Sequence, residues 1–171
     1  GSGFIGSNAV KHFIDKGYDV LNYDIATPRN KAYNAFWIKG DINDKSFYLS
    51  AVKNFTPDYF IHLAARTDLL ETKDLQVGYK SNIEGVQNTI DIVNETGSIK
   101  RVLFASSRMV CNIDYVPKDF DDYCPPNLYG ESKVIGEKLV KNANLNKEWV
   151  IFRPTSIGGP WVDIPYNTFF K

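Results

Sequence analysis

Short runs of β-branched and aromatic residues alternate along this chain with longer stretches whose apolar positions recur every three or four residues. The runs Asp19–Asp24, Phe36–Lys39, Tyr59–Leu63, Arg101–Ala105 and Trp149–Arg153 predict five strands. Between them, Ala9 to Ile14, Phe47 to Phe55, Val86 to Val93 and Val134 to Val140 predict helices, with Gly17, Gly97 and Cys124-Pro-Pro-Asn as punctuation. Strands that alternate with helices are joined by right-handed crossovers and lie parallel. The pattern therefore predicts an α/β fold with a doubly wound parallel sheet. No internal repeat or low-complexity linker interrupts it.

A parallel sheet normally places a strand before its first helix. Here the first predicted element is a helix behind a glycine loop, and the chain stops in the aromatic stretch Asn167–Lys171 after the fifth predicted strand. We therefore expect a single domain over residues 1–171, truncated at both ends.

Composition narrows the function. Twenty basic residues balance twenty acidic ones, which leaves no electrostatic footprint for nucleic acid or an anionic membrane. With 43% hydrophobic and 14% aromatic residues the chain can build a core. No apolar run approaches the roughly 18–20 residues that span a bilayer, and no signal peptide is recognisable, so a cytoplasmic protein is expected. Cys111 and Cys124 have neither metal-type spacing nor a disulfide framework and read as two ordinary reduced thiols. His12 and His62 share no metal-ligand spacing and read as structural, so no metal is expected.

Gly1-Ser-Gly3-Phe4-Ile5-Gly6 fits G-x-G-x-x-G and runs directly into the amphipathic stretch Ser7 to Lys16. Glycines at those positions permit a tight turn, a close approach to a pyrophosphate and close helix packing. The anion would lie at the helix N-terminus, where free N–H groups point outward. A flexible linker plus one glycine also fits. What favours the phosphate loop is Asp24, at the end of the next predicted strand, where a carboxylate accepts from a ribose diol and repels a 2′-phosphate. That points to NAD, and Arg29 nearby keeps NADP open as the second choice. Gly40-Asp41-Ile42 and His62-Leu63-Ala64-Ala65 end the following strands. Small residues there either let a dinucleotide lie close or simply pack. Asn82 reads equally as a helix cap or as a polar anchor in a buried network.

The reactive constellation is Ser107 with Tyr129-Gly-Glu-Ser-Lys133. Tyr129 and Lys133 share a helix face one turn apart. An ammonium beside a phenol favours the phenolate, which suits proton transfer, and a serine after the preceding strand can orient the same substrate hydroxyl.

In this order GSGFIG, Asp24, GDI, HLAA, Asn82, FASS, YGESK and FRPTSIGGP resemble the extended short-chain dehydrogenase/reductase family, the NAD-dependent nucleotide-sugar epimerases and dehydratases, from residue 1 to about Pro160. The resemblance implies a Rossmann-type NAD(P)-binding domain without its first strand and without most of a C-terminal substrate domain. It implies Ser107, Tyr129 and Lys133 as the catalytic trio. It places the cofactor on Gly1, Gly3, Phe4, Ile5, Gly6, Asp24, Asp41, Ile42, Leu63, Ala64, Ala65, Asn82, Tyr129, Lys133 and Thr155. Asp41 and Ile42 would meet the adenine, and Thr155 the nicotinamide side.

The activity implied is epimerisation of a nucleotide-activated sugar through a transient keto intermediate, with Tyr129 as acid/base. A 171-residue piece is expected to lack full activity. The alternatives are a reductase of another carbonyl substrate and a non-catalytic dinucleotide sensor. A homodimer through the helices that run from about Asn82 and Tyr129 is also implied.

Several positions depart from the family pattern. Val110-Cys-Asn112 stands where relatives tend to have Val-Tyr-Gly, and Gly158-Gly-Pro160 where they have Tyr-Gly-Pro. Arg108-Met109 replaces the Asp-Glu pair of the dehydratases, which speaks against water elimination. Arg66, Thr67 and Arg108 are candidate substrate contacts, and both arginines read equally as structural.

Overall fold

The computed structural model describes residues 1–68 and 74–160. In chain order the elements are α1 (Phe4–Asp15), β1 (Asn22–Asp24), β2 (Trp37–Lys39), α2 (Lys45–Phe55), β3 (Tyr59–His62), α3 (Leu75–Gly78), α4 (Lys80–Glu95), β4 (Arg101–Ala105), α5 (Leu128–Asn142) and β5 (Glu148–Phe152). Short 3₁₀ segments at Lys31–Phe36 and Arg108–Val110 complete them. All paired strands are parallel. β1 pairs with β2, and β3, β4 and β5 form a three-stranded sheet with β4 in the centre.

This is the doubly wound α/β arrangement expected. Among the described residues β1–β2 and β3–β4–β5 are two separate parallel sheets. In an open α/β sheet, ligands bind where the strand order reverses, at the carboxyl ends of the strands.

Polar side chains start the helices. Asp44 caps α2 by accepting from the Phe47 N–H at 3.1 Å, and Asn127 caps α5 by accepting from the Gly130 N–H at 2.9 Å. The core lies between the larger sheet and the helices: Val102 and Phe104 of β4 pack with Ile90 and Val93 of α4, with Val140 of α5 and with Ile151 of β5. α4 is buried on more than one face because it lies beside α5 as well as the sheet. A Cβ on Gly136 would stand 3.3 Å from the Asn82 carbonyl, so the two helices meet almost backbone to backbone there.

The expected strand Asp19–Asp24 contracts to Asn22–Asp24, because β2 supplies only three paired residues. Phe36 belongs to the preceding 3₁₀ turn rather than to β2. α3 and both 3₁₀ turns are additions to the expected elements. Asn167–Lys171 lies outside the described residues. None of the described helices is long and apolar enough to cross a membrane.

Candidate active site

The glycine loop folds against the end of β1. The Ser2 N–H donates to Asp24 Oδ2 at 2.8 Å, and the Ala26 N–H donates to Asp24 Oδ1 at 2.9 Å. Behind the loop, Asn22 Nδ2 donates to Ser2 Oγ at 3.1 Å and Ser7 Oγ donates to the Ser2 carbonyl at 3.2 Å.

The glycines differ in what they require. A Cβ on Gly6 would fall 2.5 Å from the Gly1 Cα, so only glycine lets α1 start this close to the loop. A Cβ on Gly3 would meet nothing within 4 Å. That open space lies at the N-terminus of α1, with Phe4 and Ile5 in the helix's first turn. An anion-accepting helix end, a glycine whose missing side chain leaves room, and a carboxylate at the adjoining strand end fit a dinucleotide.

Asp41 follows β2, and its Oδ1 accepts from both the N–H and the Nδ2 of Asn43. Ile42 is 7% exposed and belongs to the main core, beside Gly85. Leu63, Ala64 and Ala65 run on from β3, partly buried. Asn82 resolves to the buried-anchor alternative. It is 1% exposed, its Oδ1 accepts from the Arg66 N–H at 2.7 Å, and its Nδ2 donates to the Arg66 carbonyl at 3.0 Å and to Ser132 Oγ at 2.9 Å. It thus clamps the segment after β3 to α5. Arg66 makes a bidentate pair with Asp68, donates to the Gly78 carbonyl at 2.7 Å and stacks over the Tyr79 ring, while Thr67 is exposed.

Ser107 lies just beyond the end of β4, and Tyr129 and Lys133 stand on α5, which packs on the turn that Ser107 begins. The Ser106 N–H donates to the Phe152 carbonyl at 2.9 Å and the Arg108 N–H to the Pro154 carbonyl at 3.1 Å, so the ladder with β5 holds the backbone on both sides of Ser107. Ser107 Oγ accepts from the Met109 N–H at 3.1 Å and starts the 3₁₀ turn that carries Arg108. Thr155 is exposed on the parallel segment after β5. A Cβ on Gly130 would fall 2.2 Å from the Met109 carbonyl, so a glycine beside Tyr129 lets the start of α5 press on this turn.

Tyr129 stands in the first turn of α5, its ring 6.2 Å from that of Tyr79. Lys133 Nζ lies 6.0 Å from the Tyr129 ring centre and donates to the Ala105 carbonyl at 2.9 Å. Burial brings the Lys133 ammonium down to about 8, against the pull of Glu137 in the other direction.

Two groups at this site were not singled out from the sequence. Glu137, one turn beyond Lys133, is 2% exposed and accepts from Arg153 Nε at 2.8 Å and Nη2 at 2.7 Å, from the Tyr123 hydroxyl at 3.0 Å and from Ser106 Oγ. Although burial alone would raise it, these donors hold the carboxyl below its usual range. Arg153 also donates to the Phe120 carbonyl at 2.7 Å and lies 3.9 Å from the Phe120 ring centre, which anchors the loop before α5. The available signal was a glutamate three residues from both Val134 and Val140 on the buried side of α5.

His62 is the second group. Burial, with the nearby Lys133 charge, lowers it to about 3, so the ring is neutral. Its Nδ1 meets Thr89 Oγ1 at 3.1 Å, while Nε2 is buried without a protein partner. Both His62 and Lys133 line a small pocket of about 20 Å³, room for one water.

A parallel α/β sheet, a glycine loop at a helix N-terminus and a serine, tyrosine and lysine gathered at the strand ends define a dinucleotide-dependent short-chain dehydrogenase/reductase type of domain. The comparison with known sequences is more specific: residues 1–169 match the NAD dependent epimerase/dehydratase family, and the chain belongs to it.

The UDP-glucose 4-epimerase of Lacticaseibacillus casei is 31% identical over 171 residues, 95% of this chain and 51% of that protein. A putative dihydroflavonol 4-reductase of Synechocystis is 27% identical, over 94% of this chain and 48% of that one. The Bordetella bronchiseptica enzyme WbmG, crystallised with NAD, superposes with a TM-score of 0.83 at 25% identity over 99% of this chain and 56% of its own. The chain therefore spans about half the length of the relatives it matches. NAD is the family's cofactor, in agreement with the sequence-based expectation.

Proposed function

We propose that this chain is the dinucleotide-binding part of an NAD-dependent epimerase of nucleotide-activated sugars. What supports the reading is that α5, with Tyr129 and Lys133 one turn apart, packs on the turn that begins at Ser107, in a chain whose relatives include UDP-glucose 4-epimerases. Gly1, Gly3 and Gly6 with the N-terminus of α1 would hold the pyrophosphate, and Asp24 the adenosine ribose. NAD, when bound, supplies a reversible two-electron acceptor for the sugar carbon.

Tyr129 then removes the proton from the sugar hydroxyl as that carbon is oxidised, and returns it when the ketone is reduced on its opposite face. Ser107 orients the hydroxyl. Lys133, fixed by the Ala105 carbonyl, places a positive charge beside the phenolic ring when Tyr129 has given up its proton. Arg66, Thr67 and Arg108 remain candidates for the sugar-nucleotide side, with Arg66 held in place by Asp68. Homodimerisation through the α4 and α5 side belongs to the same proposal.

The test is to incubate the full-length protein with NAD and, separately, UDP-, GDP- and dTDP-sugars, and to separate the products. Interconversion of two epimers with no net NADH supports the proposal. A match to a putative dihydroflavonol 4-reductase keeps a second reading in view, a reductase, which would consume NADH stoichiometrically on a ketone. Binding of NAD with no turnover of either kind leaves a sensor.

A further inference from the structure

The chain's two cysteines, separated by residues 112–123 and unlinked by any motif, occupy directly opposed positions of an isolated parallel β-bridge. The Asn112 N–H donates to the Cys124 carbonyl at 2.8 Å and the Cys124 N–H to the Val110 carbonyl at 3.0 Å, so the bridge is hydrogen-bonded on both sides of Cys111. Paired residues on neighbouring strands are about 4.8 Å apart and send their side chains to the same face. A disulfide spans Cα separations of about 4.4–6.8 Å.

The shared face is visible in the surroundings. The Tyr115 hydroxyl lies within electrostatic reach of both sulfurs, and Cys111 Sγ donates to the Asp122 carbonyl at 3.4 Å. Cys111 is buried in the small cluster with Val110 and Val134, while Cys124 is partly exposed. One thiol is thus open to a reagent and the other waits behind it.

The location matters for the site. Cys111 ends the turn that begins at Ser107, and Cys124 stands just before Pro125 and the Asn127 cap of α5, the helix of Tyr129 and Lys133. We propose that Cys111 and Cys124 are a redox site that closes to a reversible disulfide and fixes the loop 112–123 between the Ser107 turn and α5. This goes beyond the epimerase reading and does not depend on it.

The oxidant is a small-molecule disulfide such as oxidised glutathione. The Cys124 thiolate attacks it and expels one half as a thiolate, leaving a mixed disulfide. The Cys111 thiolate then attacks the Cys124 sulfur and expels the second half. Each cysteine gives up one proton, two electrons pass to the reagent, and one S–S bond replaces another.

The test equilibrates the full-length protein with glutathione buffers of graded oxidised-to-reduced ratio. Free thiols are then alkylated, and the peptides bearing Cys111 and Cys124 are weighed. The expected result is a linked peptide lighter by two hydrogens, without retained glutathione, reopened by dithiothreitol. It should form at a ratio at least about tenfold more reducing in the native protein than in urea, because the fold holds the thiols opposite each other. The oxidised protein should melt about 5–10 °C higher and be cut more slowly within 112–123. In Cys111→Ser, glutathione should stay on Cys124. Two free thiols at every ratio, glutathione stranded on Cys124 of the unsubstituted protein, or equal linkage in buffer and urea would each overturn the proposal, and the native-against-urea comparison needs no variant to fold.

Discussion

Lys133 holds its ammonium 2.9 Å from the Ala105 carbonyl, at the end of the central strand and almost out of reach of water. Depression of its folded value from 10.5 to about 8 means that the folded state binds this proton less well than the unfolded chain. The cost to stability is fully present below pH 8 and fades as pH rises from 8 to 10.5. At pH 7 it corresponds to about 3 kcal/mol, against which removing the donor loses about 1 kcal/mol of hydrogen bonding. Lys133→Met should therefore fold about 1–2 kcal/mol more stably at pH 7, with the advantage shrinking above pH 8. Denaturant titrations at pH 7 and pH 9.5 measure both.

The Glu137–Arg153 pair is bidentate, with Glu137 buried and Arg153 half-buried, and the carboxylate is costly without its partner. Glu137→Gln leaves an uncompensated guanidinium against the Phe120 ring and should cost about 3–5 kcal/mol. Glu137→Gln with Arg153→Met should recover much of that loss. A double-mutant cycle read by urea midpoints gives the coupling, and purely additive losses would show that the pair does not act as a unit.

Two glycines of one loop should respond oppositely. Gly6→Ala drives a methyl into the Gly1 backbone and should lower the melting temperature of the free protein. Gly3→Ala meets nothing in the protein, so stability should change by less than about 0.5 kcal/mol. Its methyl instead enters the space assigned to the pyrophosphate, and NAD affinity should fall by about tenfold or more. Calorimetric titration with NAD separates the two effects.

Acid should weaken the fold before the carboxylates titrate. The unfolded His62 takes up a proton near pH 6.5, whereas the folded ring stays neutral down to about 3. The unfolded state therefore binds more protons below pH 6.5, and stability falls as pH drops, by about 1.4 kcal/mol per unit at most. Between pH 6.5 and 5 this slope should be present in the natural protein and largely absent in His62→Gln.

Local patterns were legible in the sequence and distant pairings were not. Arg101–Ala105 emerges with the bounds its residues suggest because β4 is paired on both sides, which fixes its length. Asp19–Leu21 has the same apolar character, yet β2 leaves those residues unpaired, and no property of the residues themselves reports that. The pairing of Tyr129 with Lys133 could be read because the two sit at a helical spacing, and both stand on α5.

Glu137 was not singled out because Arg153, which defines its role, comes only after the next strand. Asn82 stayed ambiguous for a related reason: its partners Arg66 and Ser132 come from elements on either side of α4. The opposition of Cys111 and Cys124 likewise depends on how the loop between them returns.

The central claim is that Tyr129 exchanges the proton of a sugar hydroxyl while Lys133 and Ser107 hold the geometry. It is tested most directly by the rate at which full-length protein with bound NAD interconverts UDP-glucose and UDP-galactose, compared with Tyr129→Phe. The account predicts NAD-dependent interconversion that falls by about 10²–10⁴-fold in Tyr129→Phe while NAD affinity changes little. Near-normal turnover in Tyr129→Phe would contradict it.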